Sequence, residues 1–117
     1  MATDRHAEVT WLGSLLHGSG RIDGVGSGAF GPLDITWASR AEEPGGRTSP
    51  EELIAAAHSA CYAMSLSNEV AKGGGTPRTL DVQADVTLGS DPGGGFKLTG
   101  IVLTVAGDVD GLDAAGF

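Results

Sequence analysis

Residues 48–67 read TSPEELIAAAHSACYAMSLS and contain strong helix-start signals. Ser49 can cap a helix whose first residue is Pro50, and Glu52 completes a capping box with Ser49. The body that follows is rich in helix-forming residues. Lys72 then precedes the three glycines at 73–75, which favour a helix end. The pattern therefore predicts one long helix that begins at Pro50 and ends near Lys72.

The predicted helix carries small and apolar residues on nearly every face between Leu53 and Leu66. A helix in a half-exposed position shows one apolar stripe and one polar face instead. We therefore expect this helix to be buried on most sides. Its alanines allow a second helix or a sheet to approach closely.

Strand patterns lie on both sides of the helix. Residues 8–40 predict a strand meander with hairpin turns, including a short strand at residues 35–37. Residues 80–88 alternate strictly between apolar and polar, and a turn at 91–95 leads to a partner strand with a slip near Gly100 that predicts a bulge. The tail from Asp108 to Phe117 is expected to be a loop. The fold class is thus α+β.

Length and composition exclude several classes of protein. The 117 residues suit a single domain, 1–117, and the net charge of −8 disfavours nucleic-acid binding. One cysteine rules out an internal disulfide framework and a cysteine-rich metal site, so no metal is expected. No apolar run approaches the roughly 18 residues that span a bilayer, so no membrane is expected as a partner. The N-terminus lacks the apolar core of a signal peptide, and we expect a cytoplasmic protein.

Cys61 is the candidate for a chemically reactive side chain. A single cysteine in an alanine-rich helix is most often an inert core residue. A reactive thiol needs a nearby positive charge or hydrogen-bond donors that favour its thiolate. The arginines considered for this role are Arg21, Arg40 and Arg47. Spacing alone selects none of them, and Glu51 alone is an ordinary first-turn carboxylate that complements the helix dipole.

Residues 48–67 resemble the signature helix of the family of osmotically inducible protein C (OsmC) and organic hydroperoxide resistance protein (Ohr). Upstream, WASRAE at 37–42 resembles the segment that supplies the arginine of this family, and residues 80–105 resemble its long hairpin. The amino-acid sequence of the predicted helix is more similar to the OsmC branch than to the Ohr branch. The resemblance implies an OsmC-like domain in which antiparallel sheets pack around a long buried central helix, within an intertwined homodimer.

The resemblance also implies a function, that of a cysteine-based peroxidase in the oxidative stress response. Such an enzyme reduces organic hydroperoxides and, less efficiently, hydrogen peroxide, without a cofactor and with an external dithiol as reductant. By position, Cys61 matches the peroxidatic cysteine, Glu51 the carboxylate that orients the arginine, and Arg40 the arginine itself. Arg21 resembles the position used by the Ohr branch and is the second choice. A guanidinium stabilises the thiolate nucleophile, and a carboxylate fixes the guanidinium.

The spacing between Glu51 and Cys61 bears on how such a site is assembled. Ten residues at ~1.5 Å each place them roughly 15 Å apart along the helix axis. One side chain cannot bridge that gap. If both residues serve one site, either the helix bends or Glu51 comes from another subunit. We therefore expect an obligate homodimer with composite sites.

The sequence departs from the family in one respect. Family members carry a second cysteine on a later helix, which resolves the oxidised thiol as a disulfide. The chain has none, and it ends at residues 111–117, about where that helix is expected to begin. We expect a C-terminal truncation in which the last helix and strand are missing. The alternatives are a redox-sensing or hydrophobic-ligand-binding protein without turnover, and a structural domain whose cysteine is inert.

Overall fold

The computed structural model describes residues 2–113 and 115–116. The chain divides into two compact units, Met1–Pro50 and Glu51–Phe117. The elements of the first unit are β1 (Ala7–Leu12), β2 (Ser19–Val25), β3 (Leu33–Ile35) and α1 (Trp37–Ala41). Helix α2 (Pro50–Lys72) starts at the boundary, and the elements that follow it are β4 (Thr76–Ser90) and β5 (Phe96–Asp110). The predicted α+β class, with antiparallel sheets and one long helix, is confirmed.

The first unit is built on an antiparallel sheet in the order β1-β2-β3, which confirms the predicted meander. Gly20 in the central strand pairs with Trp11 on one side and with Ile35 on the other. A Cβ atom at Gly20 would overlap the Trp11 ring and would lie 3.1 Å from the Ile35 side chain. Glycine is required here because the two apolar side chains occupy the space that a Cβ atom would take.

Helix α1 replaces part of a predicted strand. Residues 35–37 were expected to be extended, but β3 ends at Ile35 and α1 begins at Trp37. The reason is local: the Thr36 hydroxyl accepts from the Ser39 backbone N–H, and the Ser39 hydroxyl accepts from the Thr36 N–H, both at 3.0 Å. This reciprocal capping box satisfies backbone donors that a helix start leaves open, and it turns the chain out of the sheet.

Helix α2 has the predicted bounds, from Pro50 to Lys72. Its end is a Schellman motif, in which the Gly74 N–H donates to the Ala71 carbonyl and the Gly75 N–H to the Val70 carbonyl. Gly74 has a φ of +93°, a left-handed conformation that side chains disfavour. The glycine run therefore ends the helix for a conformational reason. The capping of the first turn by Ser49 and Glu52 stays a prediction.

The prediction that α2 is buried on most sides is wrong for the single chain. Every residue from Leu53 to Leu66 is half-buried or exposed, and the exposed fraction of Met64 reaches 75%. Only Glu51 and Val70 are buried among the residues of α2. The physical reason is that the hairpin β4–β5, which follows in the same unit, does not pack along the helix. The apolar residues of the helix therefore lack a covering layer within their own unit.

Strands β4 and β5 form one long antiparallel hairpin, as the alternation predicted. Thr87 pairs with Gly100 and Leu88 with Leu98, so Thr99 is left over as the bulge expected near Gly100. The tail prediction is corrected, because β5 continues through Asp110. Ala114 and Phe117, which belong to the predicted loop, lie outside the described residues.

The register of the hairpin collects its apolar residues on one face, which we call the apolar hairpin face. On β4 its members are half-buried rather than buried, and on β5 Leu98 and Ile101 are exposed. The opposite face presents polar side chains such as Asp81 and Gln83. The residues of the apolar hairpin face are Leu80, Val82, Ala84, Val86, Leu88, Leu98, Ile101, Leu103 and Val105.

Candidate active site

Cys61 lies in the middle of α2, and its side chain is exposed. An exposed thiol is accessible to solvent and to a dissolved oxidant, whereas a buried structural cysteine is not. The alternative of an inert thiol rested on a buried core position, and the structure gives Cys61 no such position in the single chain.

Glu51 occupies the first turn of the same helix and has an exposed fraction of only 7%. Its neighbour Glu52 is exposed. Burial of a carboxylate is unfavourable unless charged or hydrogen-bonding groups compensate it, whereas a first-turn glutamate that only complements the helix dipole has no need of burial. The structure thus distinguishes these two adjacent glutamates by burial.

Arg40 lies on α1, three residues after Trp37, which places both side chains on one face of the helix. The guanidinium carbon Cζ of Arg40 lies 5.8 Å from the centroid of the Trp37 ring. Both residues line a pocket of about 280 Å³ in the first unit. The other residues that line this pocket are mostly apolar: Trp11, Leu15, Ile35, Thr36 and Pro50. The pocket thus combines an apolar wall with one guanidinium.

Arg21, the second choice, lies on β2 and forms an ion pair with Asp23. Its Nε donates to Asp23 Oδ1 at 2.7 Å, and the Thr10 hydroxyl donates to Asp23 Oδ2 at 2.7 Å. The hydrogen bond from Thr10, together with the hydrogen bond and charge of Arg21, lowers the pKa of Asp23 below its ordinary value of 3.8. Arg21 therefore belongs to a small polar cluster on the surface of the meander.

The predicted site residues are distributed over both units. Arg40 belongs to the first unit, whereas Glu51 and Cys61 belong to the second and share one helix. Along the axis of α2 the latter two are separated by roughly 15 Å, so the helix by itself does not bring them together. Among the described residues, no group of three or more His, Cys, Asp or Glu side chains could hold a metal ion. None of the described helices is long and apolar enough to cross a membrane.

Two features of the pocket differ from the sequence prediction. The strand predicted at residues 35–37 includes Trp37, although the spacing of three between Trp37 and Arg40 fits one helical face. Thr36 and Ser39 have the spacing of a capping box, but the usual motif has glutamate or glutamine in the last position. A helix that starts after Thr36 places Arg40 on that helix.

Comparison with known proteins shows the family. The family model described as OsmC-like protein matches residues 43–116. The chain is 36% identical to proteins named peroxiredoxin OsmC from Escherichia coli (strain K12) and Shigella flexneri, over 100% of its own length and 80% of theirs. The crystal structure of the organic hydroperoxide resistance protein OhrB of Bacillus subtilis matches with a TM-score of 0.62 and 26% identity, over 94% of this chain and 76% of that one. The chain therefore belongs to the OsmC-like protein family.

Proposed function

We propose that the chain is a cysteine-based peroxidase that reduces organic hydroperoxides and hydrogen peroxide, with Cys61 as the nucleophile. The observation that carries this proposal is the exposed Cys61 thiol at the centre of the helix that matches the OsmC-like family model. Relatives of this family bear the name peroxiredoxin, and a structural neighbour is named for resistance to organic hydroperoxide. A reducing cytoplasm is the compartment in which such a thiol stays available.

The proposed reaction begins with the Cys61 thiolate. Its sulfur attacks the terminal oxygen of R–O–O–H, the O–O bond breaks, and the bonding electrons leave with the alkoxide RO⁻, which takes up a proton to give the alcohol. Cys61 becomes a sulfenic acid. Two thiol groups of an external dithiol then reduce the sulfenic acid to the thiol, forming a disulfide and water. In this scheme the external reductant supplies both thiols of the second step.

Arg40 is assigned to stabilise the thiolate and the departing alkoxide, and Glu51 to hold the Arg40 guanidinium. One argument favours Arg40 over Arg21. Arg40 lines an apolar pocket that suits the organic part of a hydroperoxide, whereas Arg21 lies in a polar cluster with Asp23 and Thr10. The burial of Glu51 suits a charge-assisted, bidentate contact with a guanidinium.

We further propose that the active form is a homodimer. The apolar hairpin face and the apolar residues of α2 lack a covering layer within their own unit, and a hairpin of two strands alone is marginally stable in water. Two antiparallel copies of α2 that cross near Ala56, midway between Glu51 and Cys61, would place Glu51 of one copy beside Cys61 of the other. The alanines around the crossing point permit close approach. A single OsmC-like domain from each chain would form such a pair.

The test is a peroxide assay with the purified protein and cumene hydroperoxide. Without reductant, we expect one equivalent of peroxide to be consumed and one oxygen atom to be added at Cys61, as detected by mass spectrometry after trapping. With a dithiol, consumption should become catalytic. Cys61→Ser should abolish both, whereas Ser65→Ala, one turn further along α2 and also exposed, should retain them.

Two results would count against the proposal. If Cys61 stays unchanged after an excess of peroxide, the thiol is inert. If Cys61 is oxidised but no dithiol restores it, the protein acts without turnover, as a redox sensor would.

A further inference from the structure

Trp37 and Arg40 form a stacked pair whose geometry is favourable for a cation–π interaction. The separation of 5.8 Å between Arg40 Cζ and the ring centroid is within the range of about 6 Å in which the ring face attracts a cation. The indole of tryptophan has the strongest such attraction among aromatic side chains. The pair also lies on a single helix with spacing i, i+3, so the backbone holds its two members in register.

Hydrogen bonds hold the backbone that carries Trp37 and Arg40. Ser39 lies between the two residues and is buried. Its hydroxyl lies 2.9 Å from the Thr36 carbonyl and 3.1 Å from the Thr48 carbonyl. The Thr48 N–H in turn donates to the Asp34 carbonyl of β3 at 3.3 Å. These bonds connect α1 to the sheet and to the segment that leads into α2.

An exposed arginine without such a contact samples many rotamers, and each catalytic encounter must then select the productive one. Arg40 is exposed, whereas the Trp37 side chain is half-buried and lines the same pocket. The ring is therefore the more firmly held member of the pair. It presents its face to the guanidinium and restricts the directions in which Arg40 can extend.

We infer that Trp37 is a positioning residue for Arg40, which it holds by cation–π stacking in the orientation that serves Cys61. The inference rests on the proposed function, in which Arg40 stabilises the thiolate and the alkoxide. Trp37 acts through Arg40 and not on the reacting atoms. The capped helix α1 and the buried Ser39 supply the fixed frame for the pair.

The test is a double-mutant cycle on kcat/KM for cumene hydroperoxide with a saturating dithiol. From the strength of cation–π contacts, Trp37→Leu should lower kcat/KM about 3- to 30-fold. Trp37→Phe, which keeps an aromatic face, should recover most of that loss. In an Arg40→Ala background, Trp37→Leu should cause no further loss, because the residue it positions is gone.

Trp11→Leu is the matched control. It removes the other tryptophan of the same pocket, and its effect should be the same with and without Arg40. The melting temperature of each variant reports whether the fold is kept. The inference is overturned if Trp37→Leu has no effect, if it lowers kcat/KM equally in the Arg40→Ala background, or if Trp37→Phe is as slow as Trp37→Leu.

A second readout separates this inference from the proposed function. The rate at which iodoacetamide alkylates Cys61 depends on the thiolate and needs no peroxidase activity. If the wild-type protein consumes no peroxide, the proposed function fails. The alkylation rate then still decides whether Trp37 and Arg40 act on Cys61 as a coupled pair. In the same double-mutant cycle, Trp37→Leu should lower the alkylation rate in the wild-type background and should cause no further loss in the Arg40→Ala background.

Discussion

Glu51 and Cys61 lie on the same helix, ten residues apart, yet one is buried in the first turn and the other is exposed in the middle. At 3.6 residues per turn, their side chains also point in directions about 80° apart around the axis. A continuous helix keeps the two residues apart along its axis. A site that contains both Glu51 and Cys61 therefore needs a further element that spans the distance between them.

The contrast between Glu51 and Glu52 gives the first prediction. Glu51→Gln should lower the rate of peroxide consumption by about 10- to 100-fold, because a buried amide cannot hold a guanidinium as a carboxylate does. Glu52→Gln changes the same residue type one position later, at an exposed site, and should leave the rate nearly unchanged. Stopped-flow consumption of cumene hydroperoxide measures both. If both variants lose activity equally, the proposed role of Glu51 in the site is wrong.

The choice between the two arginines gives the second prediction. Arg40→Ala should slow the oxidation of Cys61 by about 100-fold, because it removes the charge assigned to the thiolate and the alkoxide. Arg21→Ala breaks the ion pair with Asp23 on the surface of the meander and should leave the oxidation rate within about twofold of wild type. The rate of sulfenic acid formation at Cys61 under excess peroxide decides between them. A slow Arg21→Ala variant with a fast Arg40→Ala variant would reverse the assignment.

The long elements could be predicted because their signals are local. Pro50 and the glycines at 73–75 determine the ends of α2 through backbone conformation, and the strict alternation over 80–88 fixes which residues share a face of the hairpin. Helix α1 could not be found by the same patterns. Its five residues are too few for a hydrophobic period, and the Thr36–Ser39 capping box overrides the strand tendency of Trp37.

The sequence could not predict whether α2 is buried within a single chain. The pattern of apolar residues indicates which side chains avoid water, but it does not indicate which element covers them. Small and apolar residues on all sides of a helix require neighbours on all sides. Those neighbours can come from the same chain or from a second copy. The roles proposed for Cys61, Glu51 and Arg40 rest on the resemblance to the family, since spacing alone selects no arginine.

The Thr10–Asp23–Arg21 cluster predicts a pH dependence of stability. The pKa of Asp23 is lower in the folded chain than its ordinary value of 3.8, first because of the Thr10 hydrogen bond and then because of Arg21. The stabilisation from Asp23 is therefore complete above pH 3.8 and is lost as the pH falls through the lower, folded-state pKa. Asp23→Asn should make acid unfolding less steep in that window. Asp85→Asn, on the exposed face of β4, should not.

That comparison is made by circular dichroism on thermal unfolding at several acidic pH values. Because Asp23 is close to the surface, the effect should shrink as salt is added. An unfolding profile of Asp23→Asn that keeps the full pH dependence of the wild type would show that the cluster does not contribute.

The apolar hairpin face gives the last prediction, which concerns assembly. Ile101 and Val86 pair across the hairpin on this face, and Ile101 has an exposed fraction of 42%. If a second copy covers the face, Ile101→Asp places an uncompensated charge in the interface and should convert the dimer into monomer with a marked loss of melting temperature. Thr87→Asp, next to Val86 but on the polar face, should stay dimeric. Sedimentation velocity under native conditions reports the state. A monomeric wild-type protein would refute the dimer, and with it the composite site that joins Glu51 of one copy to Cys61 of the other.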